Sequence, residues 1–221
     1  MSNKPSAEQY RKALSEFQRS VEVTRDVRFQ AAIRLGLRQS ASSYVVSILS
    51  LFVIALSIIP NIYKVEIYQT QILLGSSIIL SAFVIFTSLI DGARNFYHQG
   101  ELLHSCARKV ATVYHELKNV DPEDCSDQKW KELRGLQDSY RKALDDCPVN
   151  HANVDFIRVQ IRKPHHFNHD YTWKWKSAEI KYKKVEHFIE TWLWITPHLI
   201  AIGTVFYVVY HFVLSKAPYM Q

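Results

Sequence analysis

Gln39–Tyr63 reads QSASSYVVSILSLFVIALSIIPNIY, 25 residues without an Asp, Glu, Lys or Arg. Ile67–Ile90, IYQTQILLGSSIILSAFVIFTSLI, is a second charge-free run of 24 residues, and Thr191–Ser215 is a third of 25. A helix needs about 20 mostly apolar residues to cross the hydrocarbon of a bilayer, and core helices of soluble domains rarely stay uncharged that long. These windows set the fold class: an all-α, polytopic membrane protein with three transmembrane helices and a cytosolic helical bundle. The whole-chain average hides this. Mean hydropathy over the 221 residues is −0.13, with 48% hydrophobic and 22% charged residues, because long polar segments dilute the spans.

The polar segments carry helical patterns of their own. In residues 1–40 the apolar positions Tyr10, Leu14, Phe17 and Val21 recur at near-heptad steps, with Ala31 and Leu35 beyond them, so one amphipathic helix runs toward the first span. Ser6 and Gln9 have the spacing of a capping box at its start. Residues 41–92 form a transmembrane hairpin, its first arm ended by Pro60-Asn61. Residues 93–190 are a cytosolic helical extension. Phe96, Leu103, Val110 and Leu117 make a seven-residue seam on a stalk, flanked by Cys106, Val113 and Tyr114. Asp121-Pro122-Glu123-Asp124 turns the chain, Ser126 or Asp127 caps the next helix, and Trp130, Leu133, Leu136, Tyr140 and Leu144 face back to the stalk. Residues 191–221 supply the third span and an external tail.

Basic residues orient the chain. Arg25, Arg28, Arg34 and Arg38 precede the first span against Lys64 in the hairpin turn, and Arg94, Lys174, Lys176, Lys181, Lys183 and Lys184 flank the large polar region against Lys216 at the end. The N-terminus and the 93–190 extension are expected in the cytosol and the C-terminus outside, in a multi-pass protein of the inner (plasma) membrane. The net charge of +6 then reflects span flanks, not a nucleic-acid surface, and direct nucleic-acid binding is not expected. The hydrophilic first forty residues show no cleavable leader, so the first span is expected to insert as an uncleaved anchor. Cys106, Cys125 and Cys147 form no CxxC pair and read as reduced thiols.

Two span faces carry hydroxyls. Ser43, Ser47, Ser50, Ser57 and Asn61 are spaced 4, 3, 7 and 4 apart on one side of the first span. Ser77, Ser81 and Ser88 repeat this on the second. Such faces serve close helix packing or, in an oligomer, a water-lined lumen. Asp91, at the end of the second span, is an exposed partner for Arg94 or a charge ring at a pore mouth. His198 and His211 lie near the ends of the third span, at headgroup depth or as pH-sensitive groups.

Signals for chemistry are weak. His165, His166 and His169 lack a zinc-site spacing, and the chain has neither a glycine-rich phosphate loop nor a GxSxG elbow, with only six glycines in all. No enzyme activity, metal or cofactor is expected. Trp173, Lys174, Trp175 and Lys176 alternate aromatic and basic side chains just before the third span, a pattern suited to an anionic membrane surface or to ligand contact.

An amphipathic N-terminal helix, two closely spaced membrane helices, a long helical extension and the run Asn150-His151-Ala152-Asn153-Val154-Asp155-Phe156 together resemble the SLATT domain of bacterial conflict systems over about residues 10–190. The resemblance implies a membrane effector of antiviral defence, triggered by a sensor protein or nucleotide-signal system encoded nearby. Such an effector assembles with itself and breaches the lipid bilayer, ending in abortive infection. It also implies a structural role for Asn150, His151 and Asp155, tying a returning loop to the stalk.

Overall fold

The computed structural model describes residues 7–63, 66–163, 196, 198–204, 206–207 and 210. Five helices follow in order: α1 (Ala7–Ile62), α2 (Ile67–Arg94), α3 (Phe96–Lys118), α4 (Asp127–Asp145) and α5 (Asn153–Arg162). No strand occurs among the described residues. The chain divides into a polar unit, Met1–Gly36 with Phe96–Lys183, and an apolar unit, Leu37–Asn95 with Lys184–Gln221.

Helix α1 supplies residues to both units, and one repeat organises it throughout. Leu14, Val21, Arg28, Leu35, Ser42, Leu49 and Leu56 are seven apart and every one is buried. A strict seven-residue repeat keeps one stripe of a helix against its neighbours. Helix α1 also runs through Pro60 to Ile62, one residue beyond the stop expected at Pro60-Asn61. Proline removes one backbone donor, yet the last turn is held by Tyr63 N–H to Ile59 O at 3.0 Å and by the Asn61 side-chain amide to Ser57 O at 3.1 Å.

In the polar unit, Tyr10, Leu14, Phe17 and Val21 pack on Cys106, Val110, Val113, Leu117, Leu133 and Leu136, joining α1, α3 and α4 in one core. The seams expected from spacing are the buried faces. Ser126 caps α4 by accepting from Lys129 N–H, and Asp121 and Asp124 accept backbone N–H groups in the turn before it. At Gly100 the backbone of α3 comes so near α1 that a Cβ there would sit 3.5 Å from Ala32 O.

The apolar unit contains the hairpin of α1 and α2, sealed by Leu49, Leu56, Leu73 and Leu80. Its outer face is bare hydrocarbon: Ile54, Ile78, Ile79, Ile85, Phe86 and Leu89 are all exposed. Only 11% of the most apolar window of α1 is buried, whereas a soluble core helix would be mostly covered. Two helices are therefore long and apolar enough to cross a membrane, and lipid is the solvent their surface suits. Of the third charge-free window, the described residues 198–204 are helical; Ala201 and Ile202 pack on the hairpin, and the Phe206 ring meets Phe52 edge-on at 5.7 Å.

The second long helix is interrupted once. Asn95 adopts a left-handed conformation, φ 47 and ψ 46, and its N–H reaches Asp91 O at 3.2 Å. Asparagine tolerates this region better than other residues bearing a Cβ. The stalk expected to continue the second span thus starts anew at Phe96.

Candidate functional site

The Asn150–Phe156 run lies in the polar unit and divides into local and long-range roles. Asn150 is exposed, and its Oδ1 accepts the backbone N–H of His151 at 2.9 Å. Asp155 is 1% exposed. Its carboxylate accepts from Arg34 through Nε at 2.8 Å and Nη2 at 2.9 Å, and from the backbone N–H of Ala152 at 3.0 Å. One side chain therefore caps α5 and clamps it to α1, across 121 residues of sequence. The planar guanidinium suits this bidentate grip.

From that clamp α5 runs antiparallel along α1. Val159 and Phe156 pack on Val27 and Val23. Arg162 Nη1 donates to Gln30 Oε1 at 3.1 Å, and Lys163 Nζ reaches Asp26 at 2.6 Å and Glu22 at 3.4 Å. The hydrogen bond to Asp26 and the two acids hold the Lys163 amine above its ordinary value. Arg34 and Gln30 were not singled out by sequence reasoning. Arg34 counted only as a charge flanking a span, although its place one residue before the seam position Leu35 was a sign of its direction.

His151 is half-buried. Burial lowers its pKa below the ordinary 6.5, with the Arg28 charge in the same direction and Asp155 opposing. The imidazole is accordingly neutral at physiological pH. Cys106 donates to Ala143 O at 3.3 Å, and burial pushes its thiol up to about 11, which disfavours the thiolate.

In the apolar unit five hydroxyls of the expected faces behave alike. Ser47 donates to Ser43 O, Ser50 to Val46 O, Ser57 to Val53 O, Ser77 to Leu74 O and Ser81 to Ser77 O, all between 2.7 and 2.9 Å. Each is satisfied within its own helix. Ser43, Ser47, Asn61 and Ser88 are exposed, Ser50, Ser57 and Ser81 are half-buried, and Ser77 is buried. Asp91 is buried as well, and accepts a hydrogen bond from Ser42, the serine next to the expected face. That bond spans the hairpin from α1 to α2. His198 is buried with its ring edge-on to Phe83 at 6.2 Å. His211, the histidines at 165, 166 and 169, and Trp173, Lys174, Trp175 and Lys176 lie outside the described residues.

Two apolar helices, a helical extension and the clamped signature loop are the frame in which a family match can be weighed. The model of the SMODS and SLOG-associating 2TM effector domain family 5 matches residues 10–208. The chain belongs to this family. Family 5 is by its description a two-transmembrane effector domain, which fits the two span-length helices α1 and α2, and the protein is a membrane effector of the SLATT kind. No curated protein and no solved structure matches the chain.

Proposed function

We propose that this SLATT effector acts in antiviral defence by assembling with further copies of itself into a pore once a partner sensor is triggered. The observation that supports this reading is the division of faces on the hairpin. Leucines take the seam, while Ser43, Ser47 and Ser88 stay uncovered on the protomer. A hydroxyl already bonded to its own helix costs little in contact with a neighbouring helix and gains when water reaches it. Assembly around such faces encloses a path that one protomer cannot. In this reading the chain is multi-pass in the inner membrane, with the polar unit in the cytosol, Thr191–Ser215 as a third span and the C-terminus outside. The trigger biases the polar unit between two arrangements, and no step of chemistry is involved.

A second reading follows from Asp91. A carboxylate turned into its own hairpin and bonded by Ser42 suits a stable anchor whose polar unit recruits a partner without conduction. Dye release separates the two. Purified protein reconstituted into liposomes with its activating partner is expected to release a trapped dye, and Ser50→Leu with Ser81→Leu to abolish release while the protein stays folded. No release by the activated wild type, from vesicles in which insertion is verified, refutes the pore.

A further inference from the structure

Arg28 occupies a seam position of α1 where Val21 before it and Leu35 after it are apolar. It is 7% exposed, and its Nε and Nη1 are sealed from solvent with no acceptor among the described residues. The other cations along this stretch are matched: Arg25 by Glu22 and Asp26, Arg34 by Asp155, Lys163 by Asp26 and Glu22. A guanidinium never loses its charge in a protein, and a buried charge without a counter-charge is strongly unfavourable.

Its surroundings do not answer it. His151 Nδ1, within electrostatic reach of Arg28, is a further sealed nitrogen without a partner. Cys106, also within reach, remains a neutral thiol because burial holds its pKa near 11. Asp155 is committed to Arg34 and to the Ala152 N–H. Two guanidinium nitrogens of Arg28 therefore lack acceptors among the described residues, and His151 Nδ1, on the non-helical connection from Cys147 to Ala152, lacks a partner there as well.

We infer that Arg28 and His151 form a binding site for the phosphoryl group of a small molecule, admitted by movement of the Cys147–Ala152 connection. A carboxylate brings two oxygens, whereas a phosphoryl group brings three, with up to two negative charges. In this assignment the neutral imidazole carries its proton on Nδ1 and donates to the third oxygen. This site stands in the polar unit and does not depend on conduction by the spans.

Equilibrium dialysis of the full chain in detergent, with labelled inorganic phosphate and with adenosine monophosphate, tests the assignment. Saturable binding of at least one probe is expected, weakened about tenfold or more by Arg28→Met, as the loss of a charge-assisted pair requires, and less by His151→Ala. Arg28→Met is also expected to melt higher than wild type in phosphate-free buffer, because an apolar side chain suits the seam. Arg28→Lys, which keeps the charge but loses the fork, is the control should the methionine variant not fold, and it too is expected to bind more weakly. Absence of saturable binding to the wild type, or equal binding by wild type and a folded Arg28 variant, overturns the site.

Discussion

The two units weight cross-helix and intrahelical hydrogen bonds differently. In the polar unit, side chains reach across helices: Arg34 to Asp155, Arg162 to Gln30, Lys163 to Asp26, Thr24 to Tyr140 at 2.8 Å and Gln18 to Leu117 O at 2.9 Å. In the apolar unit, Ser50, Ser57 and Ser81 turn back on their own helix and leucines make most of the contact, with the Ser42–Asp91 bond as a polar crossing of the hairpin. Water explains the difference. A charged group near water can be desolvated only when a specific partner replaces the solvent, so partners fix which helices meet. In lipid, a hydroxyl satisfied by a carbonyl four residues back asks nothing of its neighbours. The polar unit is thus specified in detail, whereas the exposed hydroxyls of the spans ask for no particular partner.

The largest effect that would sharpen this contrast lies at the clamp. Asp155→Ala leaves Arg34 buried without its partner and removes the cap of α5. Breaking one side of a buried ion pair costs about 3–5 kcal/mol. Chemical denaturation of the detergent-solubilised protein, followed by helical circular dichroism, is expected to show this loss in the transition of the polar unit. Asp155→Leu combined with Arg34→Met should recover most of it. If the single substitution is silent, cross-helix pairing does not hold this unit.

Within the spans the order of effects should invert, with packing above hydroxyls. Leu49→Ala removes a fully buried seam side chain; with no hydrophobic term against lipid, about 1–2 kcal/mol is expected, less than the 2–5 typical of aqueous cores. Ser50→Ala in the same helix should fall within about 0.5 kcal/mol of wild type, since only an intrahelical bond is lost. Steric-trap or mild-detergent unfolding measures both. A serine change as costly as the leucine change would mean that Ser50, like Ser42, joins helices.

Periodicity made much of this legible beforehand. The seams at Tyr10–Val21 and Phe96–Leu117, the face from Trp130 to Leu144 and the two span-length helices all follow from counting apolar positions, because burial on a helix repeats locally. What stayed hidden is non-local or falls off the expected face. Arg34 and Asp155 are 121 residues apart, and no spacing rule pairs them. Ser42 was overlooked because the 4-and-3 steps begin at Ser43, although Ser42, Leu49 and Leu56 share a seven-residue step. Arg28 is hidden for the same reason: a charge at a seam position looks like one more flank of the span, although it keeps the seven-residue step. The break at Asn95 left no signal in composition, since a single left-handed residue needs only a tolerant side chain.

That break provides a smaller test. Asn95 separates α2 from α3 at the sequence border of the two units. Asn95→Gly should be neutral or slightly stabilising, while Asn95→Val should cost about 1–2 kcal/mol, the penalty of a left-handed conformation for an ordinary L-residue. Melting curves of the two variants compare directly. Equal melting would mean that the helix passes through residue 95 without the observed conformation.

The smallest expected effect is one of pH, and it belongs to the polar unit alone. Burial and the Arg28 charge lower the pKa of His151 from 6.5, with Asp155 acting against them. The folded state therefore binds fewer protons at this site than the unfolded chain once pH falls toward 6.5, and protons pull the equilibrium toward unfolding. The contribution is complete above the unfolded pKa and declines as pH drops through it toward the lower folded value. His151→Gln should flatten this part of the melting-temperature profile between about pH 7.5 and 5.5, leaving the rest unchanged. Phosphate bound at Arg28 would place negative charge beside the ring and weaken the same slope in the wild type. A profile identical in wild type and His151→Gln would mean that the imidazole titrates as freely in the folded chain as in the unfolded one.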